Sequence, residues 1–285
     1  MFAIIGAVIV IGCVLGGYAI EKGNFSVLMQ PAELLIIGGA ALGGLIIQAP
    51  PKILKLVLAD LKRIIGGKTY SKADYLEALM LMSEIFFKIR REGLISIEED
   101  VETPKKSAIF QKYKKFCSNH GFLDFVTDTL RTVMSTSIAA HDLEALLDTE
   151  LDAHHEEALT PSKVIGNVAD ALPGLGIVAA VLGVVITMGK IDEPPSVLGH
   201  HVGAALVGTF LGVLLCYGYV GPISKNLEAL AGEDHQYLMM LKVILVAFVR
   251  GEAPQVAVEF GRRVIPHQVR PTFGEVEAAV SKVKK

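Results

Sequence analysis

The sequence predicts an all-α membrane protein with four transmembrane helices, a large helical cytoplasmic domain between the second and third spans, and a helical cytoplasmic C-terminal tail. Three observations predict it. Hydrophobic residues make up 52% of the 285, and the mean hydropathy is +0.49, values that point to membrane rather than to one or two soluble domains. Four apolar runs approach the roughly 20 residues that a helix needs to cross hydrocarbon. Of 27 basic residues, only Lys22 and Lys190 lie in the two short elbows that join paired runs.

The first span is expected at Phe2 to Ile20. It has neither the basic start nor the small-x-small cleavage site of a signal peptide, so it is expected to be retained. The polar elbow "EKGNFSVLMQPAE" leads into a second, shorter run from Leu34 to Ala49. After a long, mostly polar segment come Ala171 to Gly189 and Val197 to Gly221, joined by "KIDEPPS". Two hairpins result. Basic residues near span ends resist export, so both termini and the large loop are expected on the cytoplasmic side. The implied division is 1–50, N-terminal transmembrane hairpin; 51–170, cytoplasmic helical loop domain; 171–221, second hairpin; and 222–285, cytoplasmic tail.

A fifth apolar run, "YLMMLKVILVAFV" from Tyr237 to Val249, contains Lys242 and is too short to span. It is expected to be a core or subunit-interface helix. In the loop, "SKADYLEALMLMSEIFFKIRREG" offers Ser71 as N-cap and Gly93 as a stop, with apolar residues at helical spacing. "DFVTDTLRTVMSTSI" and "HDLEALLDTELDAHHEEA" read the same way, and "EEDVETPKKS" is a charged break. Nothing shows the period-two alternation of a strand.

Candidate chemistry is sparse. A pI near 6.3 and the absence of a basic footprint, zinc spacing or phosphate loop exclude nucleic acid as a partner. Cys13, Cys117 and Cys216 are too scattered for a disulfide framework. "DAHHEE" at 152–157 reads as a solvated helix face, so no metal or cofactor is expected. No nucleophile, base or metal cluster suggests an enzyme. An ion pump needs a polar group within the membrane, yet residues 174–189 contain no ionisable side chain. Glu33 and Asp170 fall at helix edges, where capping or interfacial roles suit them. Thr209, between glycines, is the best polar candidate, against a hydroxyl bonded back to its own helix.

Pro173 and Pro222 stand near the cytoplasmic ends of the third and fourth spans. They either start and stop helices or form a paired hinge. Gly12 and Gly16, Gly39 and Gly43, Gly199 and Gly203, and Gly208 and Gly212 stand four apart, a spacing that serves intrachain packing or subunit contact. Arg90 and Arg91, followed by Glu98, Glu99 and Asp100, read as charges that suit helix ends or as a docking patch for a charged partner.

The ordered stretches "GGYAIEKGNFSVLMQPAELLIIGGAALG", "RREGLISIEEDVETP", "LPGLGIVAAVLGVV", "VGTFLGVLLCYGYVGPI" and "VAVEFGRRVI" resemble the MotA family, membrane stator subunits of the bacterial flagellar motor, nearly end to end. The resemblance implies a multi-pass protein of the bacterial inner membrane. It implies a ring of five like chains around a MotB-like single-span partner, which supplies the ion-binding aspartate. Ion flow would then drive torque on a FliG-like rotor protein. It further implies that Pro173 and Pro222 couple ion binding to movement of the loop and that Thr209 lies close to the partner's aspartate. Ala180 stands where sodium-type relatives such as PomA carry threonine; alanine offers sodium no oxygen ligand, so protons are favoured. Arg90, Glu98 and Glu150 match residues that engage the rotor. The alternative is an ExbB- or TolQ-type proton-driven subunit, whose three-span layout lacks the N-terminal hairpin.

Overall fold

In the computed structural model, residues 2–67 and 69–283 are described; the expected segments 1–50 and 222–285 extend beyond them at either end. The helices, in order, are α1 (Phe2–Ile20), α2 (Phe25–Leu28), α3 (Pro31–Gln48), α4 (Pro51–Gly66), α5 (Lys72–Glu92), α6 (Glu98–Glu102), α7 (Lys114–Cys117), α8 (His120–Ser135), α9 (Ala140–Met188), α10 (Pro195–Leu215), α11 (Gly221–Val249), α12 (Pro254–Val264) and α13 (Phe273–Val283). Among the described residues there is no strand. Four helical segments are long and apolar enough to cross a membrane. The all-α fold with four membrane-capable helices is therefore as the sequence predicts.

The chain forms two compact units, one of residues 1–68 with 158–230, the other of 69–157 with 231–285. α9 and α11 each contribute residues to both. The expected helix at 141–158 and the third span are thus one helix of 49 residues, which runs on through Pro161, Ser162, Gly166 and Asn167.

In the first unit α1 buries no residue. Most of its apolar surface is exposed, as suits a lipid-facing or subunit-facing span. α4 packs Val57 and Ile64 against Val164, Ile165, Leu227 and Leu230. Gln48 Nε2 donates to Val164 O at 3.2 Å, which ties the end of α3 to α9.

The second unit has an ordinary apolar core. α5 begins where the Ser71 N–H donates to the Asp74 carboxylate at 2.8 Å, and it ends at Gly93, whose φ of +87° suits glycine. Its Phe86 stacks on Phe248 at 3.8 Å, and Phe122 stacks on Tyr237 at 4.4 Å. The run 237–249 is therefore core, with Met240, Leu241 and Ile244 wholly enclosed. Lys242 is buried there because Asp148 of α9 pairs with it. Burying a lone ammonium would be costly; pairing removes most of that cost.

Glu259 accepts from Arg262 at 2.6 and 2.8 Å and from Arg263 at 2.8 Å. The Arg262 bond, with Arg263 adding to it against the opposing effect of burial, holds the carboxyl down to about 2 from 4.5. A carboxyl lowered in the folded state stabilises above its unfolded pKa and loses that contribution as pH falls through the folded value. Glu259→Gln should therefore lower stability at neutral pH by about 1–2 kcal/mol. In thermal melts, the gap between variant and wild type should close as pH falls from 4.5 towards about 2; a gap independent of pH refutes this.

Candidate ion pathway and coupling site

The expected third and fourth spans meet along a seam of glycines. A Cβ on Gly176 would stand 2.7 Å from Gly208 O and 3.1 Å from Gly212 Cα; one on Gly208 would stand 3.0 Å from Ala179 Cβ and 3.1 Å from Ala180 N. Only glycine allows so close an approach, which in lipid replaces a hydrophobic driving force with packing. Of the four glycine pairs, Gly208 and Gly212 are thus intrachain contacts. Cβ atoms on Gly12, Gly16, Gly39 or Gly43 would meet nothing within 4 Å. Beside the seam, Ile177, Val178, Val181, Val184 and Val185 of α9 stay exposed and form a charge-free apolar wall.

Ala180 and Thr209 are brought together here. Ala180 touches the Gly208 position through its backbone, and Thr209 Cα lies 3.3 Å from a Cβ built on Gly176. Both residues are half-buried. The back-bonded hydroxyl is instead that of Thr187, which donates to Gly183 O at 2.8 Å.

Pro173 does not start a helix and Pro222 does not stop one, contrary to the first of the two alternatives. Pro173 lies inside α9, half-buried. Pro222 is exposed in the first turn of α11, directly after a π turn, Cys216–Val220, that continues α10 into α11. There the Gly221 N–H reaches Cys216 O, five residues back. Proline cannot donate to the fourth carbonyl before it and crowds that carbonyl. A wider π turn absorbs the mismatch without breaking the helix.

Close by in sequence, α9 and α11 are clamped by two serines. Ser162 Oγ donates to Ser224 O and Ser224 Oγ to Ser162 O, each at 2.9 Å, both buried. Sequence reasoning missed this pair, since a serine in a helix gives no sign of its partner. Ser162, Ser224, Asp170, Cys216 and Pro222 line an open groove of about 620 Å³. Asp170 is exposed there, but inside α9 rather than at the helix edge expected of it.

Glu33 is at a helix edge, as expected, but it is buried there. It lies in the first turn of α3, 7% exposed, with Oε2 enclosed and without a hydrogen-bond partner. That oxygen would be 2.5 Å from a Cβ on Gly208, and Oε1 3.6 Å from one on Gly183. The sequence hid it because α3 starts at Pro31, two residues earlier, while the apolar run starts at Leu34. A buried carboxylate without a partner is costly to ionise.

In the second unit, Arg90 Nη2 donates to Gly251 O at 3.0 Å, closing the turn after α11, where Gly251 has φ of +98°. Glu98 is exposed on the first residue of α6, and Glu150 is exposed on α9. Burial, with Asp128 adding to it, raises the pKa of Glu150 above 4.5. Asp100, read with the charged patch, is buried instead; Lys88 pairs with it at 2.7 Å and Ser107 Oγ donates to it at 2.6 Å. The face 152–157 is likewise less solvated than expected, for His155 packs on His235 at 4.5 Å.

A bilayer-length hairpin with a charge-free wall, a glycine seam and prolines within unbroken helices defines a helical subunit able to span a membrane. Residues 118–238 match the family described as MotA/TolQ/ExbB proton channel, and residues 4–93 match motility protein A N-terminal. The chain belongs to the motility protein A family, and its function is that of a stator proton channel subunit of the flagellar motor. Motility protein A of Escherichia coli (strain K12) is 39% identical over 284 residues, covering 100% of this chain and 96% of that protein. Chemotaxis protein LafT of Vibrio parahaemolyticus is 36% identical over 96% of each chain. In fold, the chain is similar to a chain of the flagellar MotAB stator complex from Bacillus subtilis, with TM-score 0.74 and 23% identity over 96% of this chain and 100% of that one. It is also similar to C. jejuni MotAB, with TM-score 0.77 and 16% identity over 95% and 98%.

Each serine bond should contribute about 1 kcal/mol. Ser162→Ala with Ser224→Ala should therefore lower stability about twice as much as Ser224→Ala alone, read as melting temperature in detergent; equal melting of the double variant and wild type contradicts the clamp.

Proposed function

We propose that the chain works in a ring of like chains around a MotB-type single-span partner and passes protons along the wall formed by residues 174–189. On this reading, residues 1–50 and 171–221 lie in the bacterial inner membrane. Segments 51–170 and 222–285 lie in the cytoplasm with both termini, as the basic residues require. The observation that carries the reading is the wall itself. It has no titrating group of its own, so a carboxylate that carries the ion along it comes from a partner helix facing the Ala180–Thr209 seam. Two solved structures similar in fold are MotAB assemblies, one of them a flagellar stator complex, and this supports such a partner. Ala180 offers no oxygen to sodium, which favours protons.

Each charge crossing about 100 mV releases about 2.3 kcal/mol, enough to bias a helix between two close arrangements. Pro173 and Pro222 are the coupling residues, since each leaves its helix one hydrogen bond short, Pro222 close to the clamp residue Ser224 and Pro173 about three turns beyond Ser162. Arg90, Glu98 and Glu150 face a FliG-like rotor protein; the exposure of Glu98 and Glu150 supports that role.

The test co-expresses the full chain with its partner in cells lacking stators. Wild type should restore swimming that is independent of sodium. Pro173→Ala should assemble with the partner and yet lose nearly all torque. Strict sodium dependence refutes the proton reading, and normal swimming of the proline variant refutes the coupling role.

Reversing charge at Arg90 and Glu98 together should impair motility more than reversing either alone. A double reversal that swims normally removes both from the rotor surface.

A further inference from the structure

We propose that Glu33 is itself a proton-binding site, a carboxyl of this chain that takes up and releases a proton in the glycine-lined notch between α9 and α10. The inference rests on the proton-conducting function proposed above. The notch is made by missing side chains. Glu33 Oε2 occupies the space into which a Cβ of Gly208 would project, at 2.5 Å, and Oε1 lies 3.6 Å from the corresponding position on Gly183. Ala179 and Ala205 complete the wall, 3.0 Å from the Gly208 position and 2.8 Å from the Gly183 position.

No group in the notch can neutralise a carboxylate. α9 turns Ala179, Ala180 and Gly183 toward it and α10 turns Ala205 and Gly208. α9 has no ionisable side chain from 174 to 189. On α10 the nearest are His200 and His201, a turn or more before Ala205, and on α3 Glu33 is the only one. With Oε2 sealed and unpartnered, a proton is the ligand that the notch can accept. Packing alone would be better served by an apolar side chain of similar volume. An acid placed there instead points to a group that titrates.

Its position suits the role. Gly183 is in the last two turns of α9, which ends at Met188, and Glu33 is in the first turn of α3. Both are near the elbows assigned to the outer face, while Ala180 and Thr209 adjoin the notch on the inner side. A proton from outside forms an O–H bond on the Glu33 carboxylate. That bond breaks as the proton passes to the partner's carboxylate, and Glu33 returns to its starting state with one proton moved and nothing oxidised or reduced.

Vesicles holding the full chain with its partner, loaded with a pH dye, report proton flux under an imposed potential. Glu33→Gln, which fills the notch but cannot release a proton, should co-purify with the partner and lower flux at least about a hundredfold, the scale of losing a positioned proton-transfer group. Glu33→Asp should recover part of the flux. Wild-type flux in Glu33→Gln overturns the proposal. If that variant fails to assemble, infrared titration of the wild-type complex decides. A protonated glutamic acid band that comes and goes with pH supports the site, and one that never changes overturns it. Wild-type vesicles that pass no protons sink the proposed function instead, and the infrared titration still judges Glu33.

Discussion

The spacing between α9 and α10 is set by four glycines, Gly176, Gly183, Gly208 and Gly212, and the rest of the membrane unit depends on it. A Cβ on any of them would stand 3.0 Å or less from an atom of the facing helix or of Glu33. In water such helices would be held together by burial of apolar surface. In lipid that surface is already among hydrocarbon, so backbone-to-backbone packing must do it. Close packing then has two consequences. The larger apolar side chains of α9 are left on the outer face, where they form a wall without charge. The absence of side chains on the inner face leaves room for one carboxyl.

Unbroken helices through prolines follow from the same constraint. A lipid-exposed break in a span would strand backbone groups that no water can satisfy. α9 therefore carries Pro173 without interruption, and α10 passes into α11 through a π turn ahead of Pro222. Each proline leaves a carbonyl without its usual donor, so its helix is weakest there. Ser162 and Ser224 exchange hydrogen bonds close to Pro222. A weak turn next to a firm clamp bends at a defined place, which a coupling element requires and a uniformly stiff or uniformly loose helix does not provide.

Most of the fold was legible because its signals are local. Apolar run length marked the four spans, and Ser71 and Gly93 marked the ends of α5 through cap chemistry. Short length and Lys242 ruled out a span at 237–249, leaving core or subunit interface; the structure makes it core, with Lys242 paired to Asp148. What the sequence concealed was relational. The merger of 140–188 into one helix, the serine exchange and the packing of His155 on His235 depend on residues distant in the chain. Glu33 and Asp100 were misread for one reason. Each acid stands beside a segment boundary, where exposure is the natural expectation, and each is turned inward by what lies across from it: a glycine notch for Glu33, Lys88 and Ser107 for Asp100.

The charged residues of the second unit are not equivalent reporters of a rotor surface. Arg90 is exposed, yet its guanidinium holds the carbonyl of Gly251, in a turn whose positive φ already depends on glycine. Any substitution at Arg90 therefore alters both surface charge and the geometry of that turn. Glu98 and Glu150 form no ion pair among the described residues, so a charge change at either alters chiefly the surface potential. Surface potential is screened within about 8 Å at physiological salt, whereas a hydrogen-bonded turn is not. Defects from Glu98 or Glu150 should thus vary with ionic strength, while the part of an Arg90 defect that comes from the turn should persist. Salt dependence, rather than the size of the defect, separates docking from folding at this surface.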